Sequence, residues 1–249
     1  MREPHSLQQS HARLIATNNS SMRGAAVQDY NMSAPAKPLR RGGMEGVIAS
    51  WYARQTAREL GEFQHLARRV AAYLDPGSRV LEVAPGPGYL AIELARLTDS
   101  QVTGLDISKS FVHMAAENAR AANVRVDFEH GDAADLPFPN AQFDFIVCRA
   151  AFKKFTRPLV ALNEMHRVLK PGGTALIIDL RKDFSKRAVN DYVAGRGVIA
   201  AAMIKLTFNT MLKKQAYTKE SMAGLISQSQ FGIGEIRLDP LGFEVWLRR

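Results

Sequence analysis

The chain has 249 residues, enough for one globular domain with extensions and a sizeable core. Its formal net charge is +9, but no dense patch of lysine and arginine with interleaved aromatic residues occurs, so there is no strong nucleic-acid signal. A single cysteine excludes an internal disulfide, six scattered histidines give no metal site, and no apolar run reaches the 18 residues of a transmembrane segment.

Residues 1–43 lack apolar periodicity and are rich in small and polar residues, which predicts a disordered tail or a leader. Six basic and two acidic residues make the segment acid-poor, a composition compatible with an organelle leader. We expect the folded domain to occupy residues 44–249 and the protein to be cytoplasmic, with the organelle leader left open.

Two helices are predicted at the start of the domain, over 44–60 and 62–74. The second helix carries Phe63, Leu66, Val70 and Leu74 at helical spacing, so it should pack on a sheet. Strands and helices alternate after it, which favours a parallel sheet with helices on both faces.

The most informative segment is the first strand with the turn that follows it, Val80-Leu-Glu-Val-Ala-Pro-Gly-Pro-Gly88. A strand that ends in a glycine turn and continues into a helix directs backbone N–H groups into a crevice suited to a nucleoside-like cofactor. Gly86 and Gly88 allow a ligand to approach the main chain.

A second strand, over 101–106, ends at Asp106, 20 residues after Gly86. In a doubly wound sheet this carboxylate lies at the tip of the neighbouring strand, where it can accept hydrogen bonds from ribose hydroxyls. A third strand over 124–129 precedes a polar turn, Gly131-Asp132-Ala133, that suits the edge of an adenine ring. Further strands are predicted over 143–148 and 174–180.

These segments resemble the class I S-adenosylmethionine (SAM)-dependent methyltransferases, of the broad group that includes the ubiquinone/menaquinone-biosynthesis methyltransferases. The matching pieces are Glu82–Gly88, Gly104–Ser108, Gly131–Phe138, Phe143–Val147 and Leu169–Gly173, in the order and spacing of the family. The resemblance implies SAM as the cofactor. It also implies a Rossmann-like α/β fold: a doubly wound seven-stranded sheet with an antiparallel last strand, N-terminal helices, and a helical lid inserted between strands five and six.

The resemblance also implies roles for individual residues. Glu82 is expected near the methionine moiety of SAM, Ile107 beside adenine, Asp132 as the acceptor for the adenine amino group, and Tyr52 on a helix that covers the cofactor. The full predicted cofactor-binding set is Tyr52, Glu82, Ala84, Gly86, Gly88, Asp106, Ile107, Asp132, Ala133 and Arg149.

Methyl transfer from a sulfonium needs positioning and exclusion of water, and it needs a general base only for a nucleophile that holds its proton tightly. The absence of a recognisable catalytic group is therefore compatible with an enzyme. The segment 149–155 departs from the family, so no catalytic histidine is carried over; Tyr52, Arg149 and Lys153 are the candidates, and the two cations could bind an anionic substrate group.

Residues 181–217 break the alternation of strand and helix, and they are expected to form the lid. Their many apolar residues favour either a helix pair packed on the sheet or one wall of an apolar substrate pocket. The predicted acceptor is a small molecule, apolar or anionic, and a homodimer is compatible with the sequence.

Three alternatives remain at this point. A SAM-binding cyclase, lyase or pericyclase would carry the same glycine loop. A non-catalytic partner subunit of the same fold would not need an intact loop and Asp106. A nicotinamide-dependent oxidoreductase would lack the downstream segments.

Overall fold

The computed structural model describes residues 43–195, 197–207 and 213–249. The helices are α1 (Gly46–Thr56), α2 (Leu60–Ala71), α3 (Tyr89–Leu97), α4 (Lys109–Ala121), α5 (Pro158–Val168), α6 (Lys186–Val193), α7 (Val198–Thr207) and α8 (Lys219–Gln228). The strands are β1 (Arg79–Val83), β2 (Gln101–Asp106), β3 (Asp127–His130), β4 (Phe143–Arg149), β5 (Leu169–Leu180), β6 (Glu235–Leu238) and β7 (Gly242–Arg248). Short helical turns lie at Ala57–Glu59, Phe152–Lys154 and Lys213–Gln215.

The seven strands form one sheet in the order β3-β2-β1-β4-β5-β7-β6. Neighbouring strands are parallel except at β7, which is antiparallel to both β5 and β6. The predicted fold class is confirmed. Strand order reverses at β1, which pairs with β2 on one side and β4 on the other, so a crevice opens at the carboxyl ends of these strands.

Both faces of the sheet are covered, because β1, β4 and β5 alternate their buried side chains between two apolar clusters. Leu81 and Ile146 belong to the cluster that includes residues of α5 and α8. Val80 and Phe145 belong to the cluster that includes residues of α2 and α3. The predicted apolar face of α2 lies in this second cluster.

Two boundaries differ from those predicted. β3 begins only at Asp127 and not at residue 124, and it pairs with β2 alone, at the edge of the sheet. The strand predicted over 174–180 already begins at Leu169, which pairs with Phe143 across an irregularity in the register.

Between β5 and β6 the chain makes the predicted excursion. Arg181 and Tyr217 form an isolated bridge, so the two ends of the excursion lie side by side. Within it, α6 and α7 contribute to a small apolar cluster that includes the buried residues Phe184 and Val189, and Leu180 of β5 and Leu241 pack against this cluster. Residue 196 and residues 208–212 of the predicted lid lie outside the described residues, so its function stays a prediction.

Most of the predicted tail, residues 1–42, also lies outside the described residues. Gly43, which the sequence assigned to the tail, packs against Ser108, where an added Cβ would come within 2.6 Å of the serine Cβ. No helix in the described ranges is long and apolar enough to cross a membrane.

We predict that Gly104→Ala destabilises the domain by about 1–3 kcal/mol through overpacking. A Cβ at Gly104 would lie 2.6 Å from the Phe128 ring, whereas a Cβ at Gly224, in the middle of α8, would meet no atom within 4 Å. Gly224→Ala is therefore the control and should stabilise by about 0.5–1 kcal/mol. Urea unfolding measures both; equal effects would show that β2 can accommodate the methyl group.

Candidate functional site

The loop after β1 has an unusual backbone, with Ala84, Gly86 and Gly88 all at positive φ (59°, 56° and 82°). Gly88 immediately precedes α3, and a Cβ there would lie 2.8 Å from Phe128 and 2.9 Å from Ala115. Close packing therefore requires a glycine at this position. Gly86 faces more open space, since the nearest atom to an added Cβ is 3.8 Å away on the Tyr52 ring.

Asp106, at the tip of β2, joins this loop to the start of α4. Its Oδ2 accepts from the Gly86 N–H at 3.0 Å, and its Oδ1 accepts from the Ser108 N–H at 2.9 Å. The side chain is buried, and burial raises its pKa. Each carboxylate oxygen has a second lone pair with which it could accept a hydrogen bond from a ribose hydroxyl. The ribose contact remains a prediction.

A small pocket borders the loop and brings five of the predicted residues together. It is lined by Tyr52, Thr56, Phe63, Glu82, Ala84, Pro85, Gly86, Pro87 and Arg149. Thr56 and Phe63 were not predicted as site residues, because apolar spacing marks Phe63 only as a core residue and Thr56 carries no motif.

Glu82 is the most unusual polar group in this pocket. It is 3% exposed, and its Oε2 has no hydrogen-bond partner among the described residues, while the Ala91 N–H donates to the carboxyl group. Burial raises the pKa of Glu82 to about 8. A buried acceptor without a donor is costly, so this oxygen suits a ligand that brings a hydrogen-bond donor or a positive charge.

Arg149 contributes the positive charge of the pocket. Its Nη2 lies 3.1 Å from Glu62 and 3.5 Å from Glu59, and its guanidinium lies 4.4 Å from the centre of the Phe63 ring. The turn at Ala57–Glu59 and the start of α2 thus hold the last side chain of β4 in place.

The predicted adenine-binding residues lie at the ends of β2 and β3. Ile107 is 41% exposed, as a flat contact to a base requires, whereas Ala133 is buried. The carboxylate of Asp132 accepts from Arg157 at 2.9 Å and from the Ala134 N–H at 2.9 Å. Arg157 was not predicted, since only the folded chain brings it to Asp132.

Lys153, one of the predicted candidates for contact with substrate, is not among the residues that line this pocket. Its ammonium lies 2.6 Å from Asp179, at the end of β5, and both side chains are almost completely buried. Lys153 also donates to the Ala150 carbonyl at 2.7 Å, and its backbone N–H donates to Asp179 at 2.8 Å. The Phe152–Lys154 turn directs this lysine inward, where it connects the β4 loop to β5.

We predict that Asp179→Ala costs about 3–5 kcal/mol, because it leaves a buried ammonium unpaired. The double variant Lys153→Met/Asp179→Ala should recover a large part of that loss. The control is Asp191→Ala, which removes an exposed pair with Arg187 and should cost less than about 1 kcal/mol. Chemical denaturation gives all three values; a double variant no more stable than Asp179→Ala would contradict this assignment.

We further predict that Glu82 makes stability fall as pH rises. The unfolded carboxyl ionises near 4.5 and the folded one near 8, so the folded state binds more protons between these values. The free energy of unfolding should therefore decrease by up to about 1.4 kcal/mol per pH unit in this window and level off above it.

Glu82→Gln removes this titration. The free energy of unfolding of the variant minus that of the wild type should therefore be larger at pH 9 than at pH 6. Asp75→Asn, at an exposed position after α2, is the control and should show no such trend. A constant difference between wild type and Glu82→Gln across this range would mean that Glu82 is already ionised in the folded state.

This chain is similar to known proteins in both sequence and fold. Residues 80–173 match the model of a family described as a methyltransferase domain. The chain is 36% identical over 133 residues to a 2-phytyl-1,4-naphtoquinone methyltransferase of Synechococcus elongatus, covering 51% of this chain and 57% of that protein. It is 39% identical over 102 residues to a demethylmenaquinone methyltransferase of Deinococcus radiodurans, covering 41% and 42%.

Thus the chain spans about half the length of the curated relatives it matches. A crystal structure of a SAM-dependent methyltransferase from Aquifex aeolicus has the same fold, with a TM-score of 0.57 at 18% identity over 76% of this chain and 97% of that one. The strand order and these comparisons agree: residues 80–173 are similar to a methyltransferase domain, and the sheet has the fold of a SAM-dependent methyltransferase structure.

Proposed function

We propose that this protein binds SAM at the carboxyl ends of β1 and β2 and transfers its methyl group to a quinol-type small molecule. The observation that carries the proposal is the pocket beside the glycine loop, where the unpaired oxygen of Glu82 lies near the Arg149 guanidinium. When bound, SAM supplies an electrophilic methyl group on a sulfonium with a good leaving group.

The amino-acid end of SAM fits this pocket by charge. Glu82 would accept from the ammonium group, which compensates the buried acceptor and favours its ionised form. Arg149 would donate to the carboxylate. Its present partners, Glu59 and Glu62, are partly exposed, so exchanging them for a ligand carboxylate costs little.

The nucleoside end would lie along the tips of β2 and β3. Asp106 would accept from the ribose hydroxyls while it continues to hold the Gly86 and Ser108 N–H groups. Ile107 would contact the face of adenine, and Asp132 would accept from its amino group. Arg157, which bonds Asp132, would then orient that acceptor.

The acceptor class is supported by the relatives, whose names state methylation of naphthoquinone and menaquinone precursors. Tyr52 and Phe63 give the pocket two aromatic walls that suit a flat ring. Because Lys153 is buried and paired, Arg149 and Tyr52 are the remaining candidates for contact with the reacting groups. The relatives give the cyclase, lyase and partner-subunit alternatives no support, and a homodimer and a cytoplasmic location stay predictions.

The test is titration of the full chain with SAM by calorimetry, followed by an assay with methyl-labelled SAM and a prenylated 1,4-naphthoquinol. We expect Asp106→Ala to weaken SAM binding about tenfold to a hundredfold, because charge-assisted hydrogen bonds are worth about 1.5–3 kcal/mol. Asp127→Ala, on the exposed start of β3, is the control and should bind SAM as the wild type does.

The two parts of the proposal can fail separately. Unchanged SAM affinity in a folded Asp106→Ala variant would remove the cofactor assignment. Normal SAM binding without a labelled naphthoquinol product would leave the cofactor assignment intact and reject the acceptor class.

A further inference from the structure

The strand β6 forms one edge of the sheet. Among the described residues it pairs with β7 only, and the side chains of Glu235, Arg237 and Leu238 are exposed. An edge strand presents backbone N–H and C=O groups that can pair with a strand of another molecule. A proline or a run of like charges would oppose this pairing, but β6 has no proline and carries one acidic and one basic residue.

The hydrogen bonds to β7 determine which backbone groups of β6 point outward. The Asp239 N–H donates to the Gly242 carbonyl at 3.1 Å, directly beyond the last pair of the β6–β7 register. Hydrogen-bonded and non-hydrogen-bonded pairs alternate along an antiparallel ladder. The N–H and C=O groups of Ile236 and Leu238 therefore point away from β7, to the outer side of the sheet.

The side chains of β6 divide between the two faces of the sheet. Arg237 donates two hydrogen bonds to Glu235, at 2.7 and 2.8 Å, and its guanidinium lies 5.1 Å from the centre of the Trp246 ring, on the face covered by α2. Ile236 packs on the opposite face, against the cluster that includes residues of α5 and α8. Leu238 follows on that same face and is 44% exposed.

Two copies of β6 related by a two-fold axis at Ile236 are complementary on both faces. Antiparallel pairing about this residue places Glu235 of each copy opposite Arg237 of the other, at non-hydrogen-bonded pairs, where side chains are closest. It also places the two Ile236 side chains opposite each other and Leu238 opposite Gly234, which has no side chain to obstruct it. The charges attract on one face, and the other face buries apolar side chains.

The other edge of the sheet, β3, lacks this complementarity. The same pairing of β3 about Phe128 would place Asp127 opposite Glu129. Like charges directly opposite each other destabilise a strand pair. Of the two edges, β6 is therefore the one suited to a second copy of this chain.

We propose that two copies of this chain dimerise through β6, with the two strands antiparallel about Ile236, so that their sheets join into one continuous sheet. Such an interface is isologous, because the same edge serves both copies. Residues of β6 do not line the pocket beside the glycine loop, so the dimer does not depend on the proposed function.

Reversal of single charges tests the pairing. Glu235→Arg and Arg237→Glu each place like charges opposite each other in a homodimer. Each should raise the dimer dissociation constant about tenfold or more, because two symmetric pairs change from attraction to repulsion. An equimolar mixture of the two variants restores opposite charges at both pairs and should recover the dimer. Sedimentation equilibrium of the full chain measures each sample.

The control carries the same charge change at the opposite end of the sheet. Glu117→Arg lies at an exposed position of α4, the helix that packs beside β3, and should leave the dissociation constant unchanged. A dimer that neither Glu235→Arg nor Arg237→Glu weakens would have its interface elsewhere and would overturn the proposal. A mixture of these two variants that stays monomeric would overturn it as well.

Hydrogen exchange provides a second measurement, which needs no variant. The amides of Ile236 and Leu238 should be protected at protein concentrations above the dissociation constant and should exchange rapidly below it. The amides of Glu235 and Arg237 bond β7 and should be protected in both conditions. A wild-type chain that stays monomeric, or a dimer in which the Ile236 and Leu238 amides still exchange rapidly, would overturn the proposal.

Discussion

The Asp106 carboxylate is the contact on which the site depends, because it joins the loop after β1 to the start of α4. Two backbone N–H groups donate to one ionisable side chain, and such charge-assisted bonds are stronger than neutral ones. Parallel pairing places Val83 beside Leu105, and the Ala84 N–H donates to the Leu105 carbonyl at 2.8 Å. Contacts with β2 therefore stabilise the glycine loop. These contacts also maintain the positive φ of Ala84, a backbone conformation that is unfavourable for alanine.

The parts of this site that local sequence predicts are those that depend on local backbone chemistry. Alternating strands and helices predict the doubly wound sheet, and the glycine turn predicts the crevice at the end of β1. Ser108 is the N-cap of α4, a role typical of serine, since its hydroxyl accepts from the Phe111 N–H at 3.1 Å. A cap, a turn and an apolar period each act over a few residues, so one sequence suffices to find them.

What sequence reasoning missed are polar contacts between residues far apart in the chain. Glu45 bonds a helix start some 65 residues later, and Lys153 pairs with Asp179, 26 residues away. Lys153 and Lys154 look alike in the sequence, yet the first is buried and the second lies 5.8 Å from the Tyr52 ring. A charge next to a predicted crevice can be buried in an ion pair, as Lys153 is, or can line the pocket beside partly exposed partners, as Arg149 does. The sequence alone does not show which of the two applies.

The segment that matches the family model covers some elements of the fold and leaves others out. The family match covers residues 80–173, from β1 into β5, and stops before the excursion from Arg181 to Tyr217. That excursion begins and ends at one bridge, and its small apolar cluster packs against Leu180, the last residue of β5, and Leu241. Residues 43–46 and α1 also lie outside the match. The residues proposed to contact an acceptor come from both parts, because Arg149 lies inside the matched segment whereas Tyr52 and Phe63 lie outside it. The acceptor therefore has to be argued from the pocket that these side chains line together, and not from the sequence match alone.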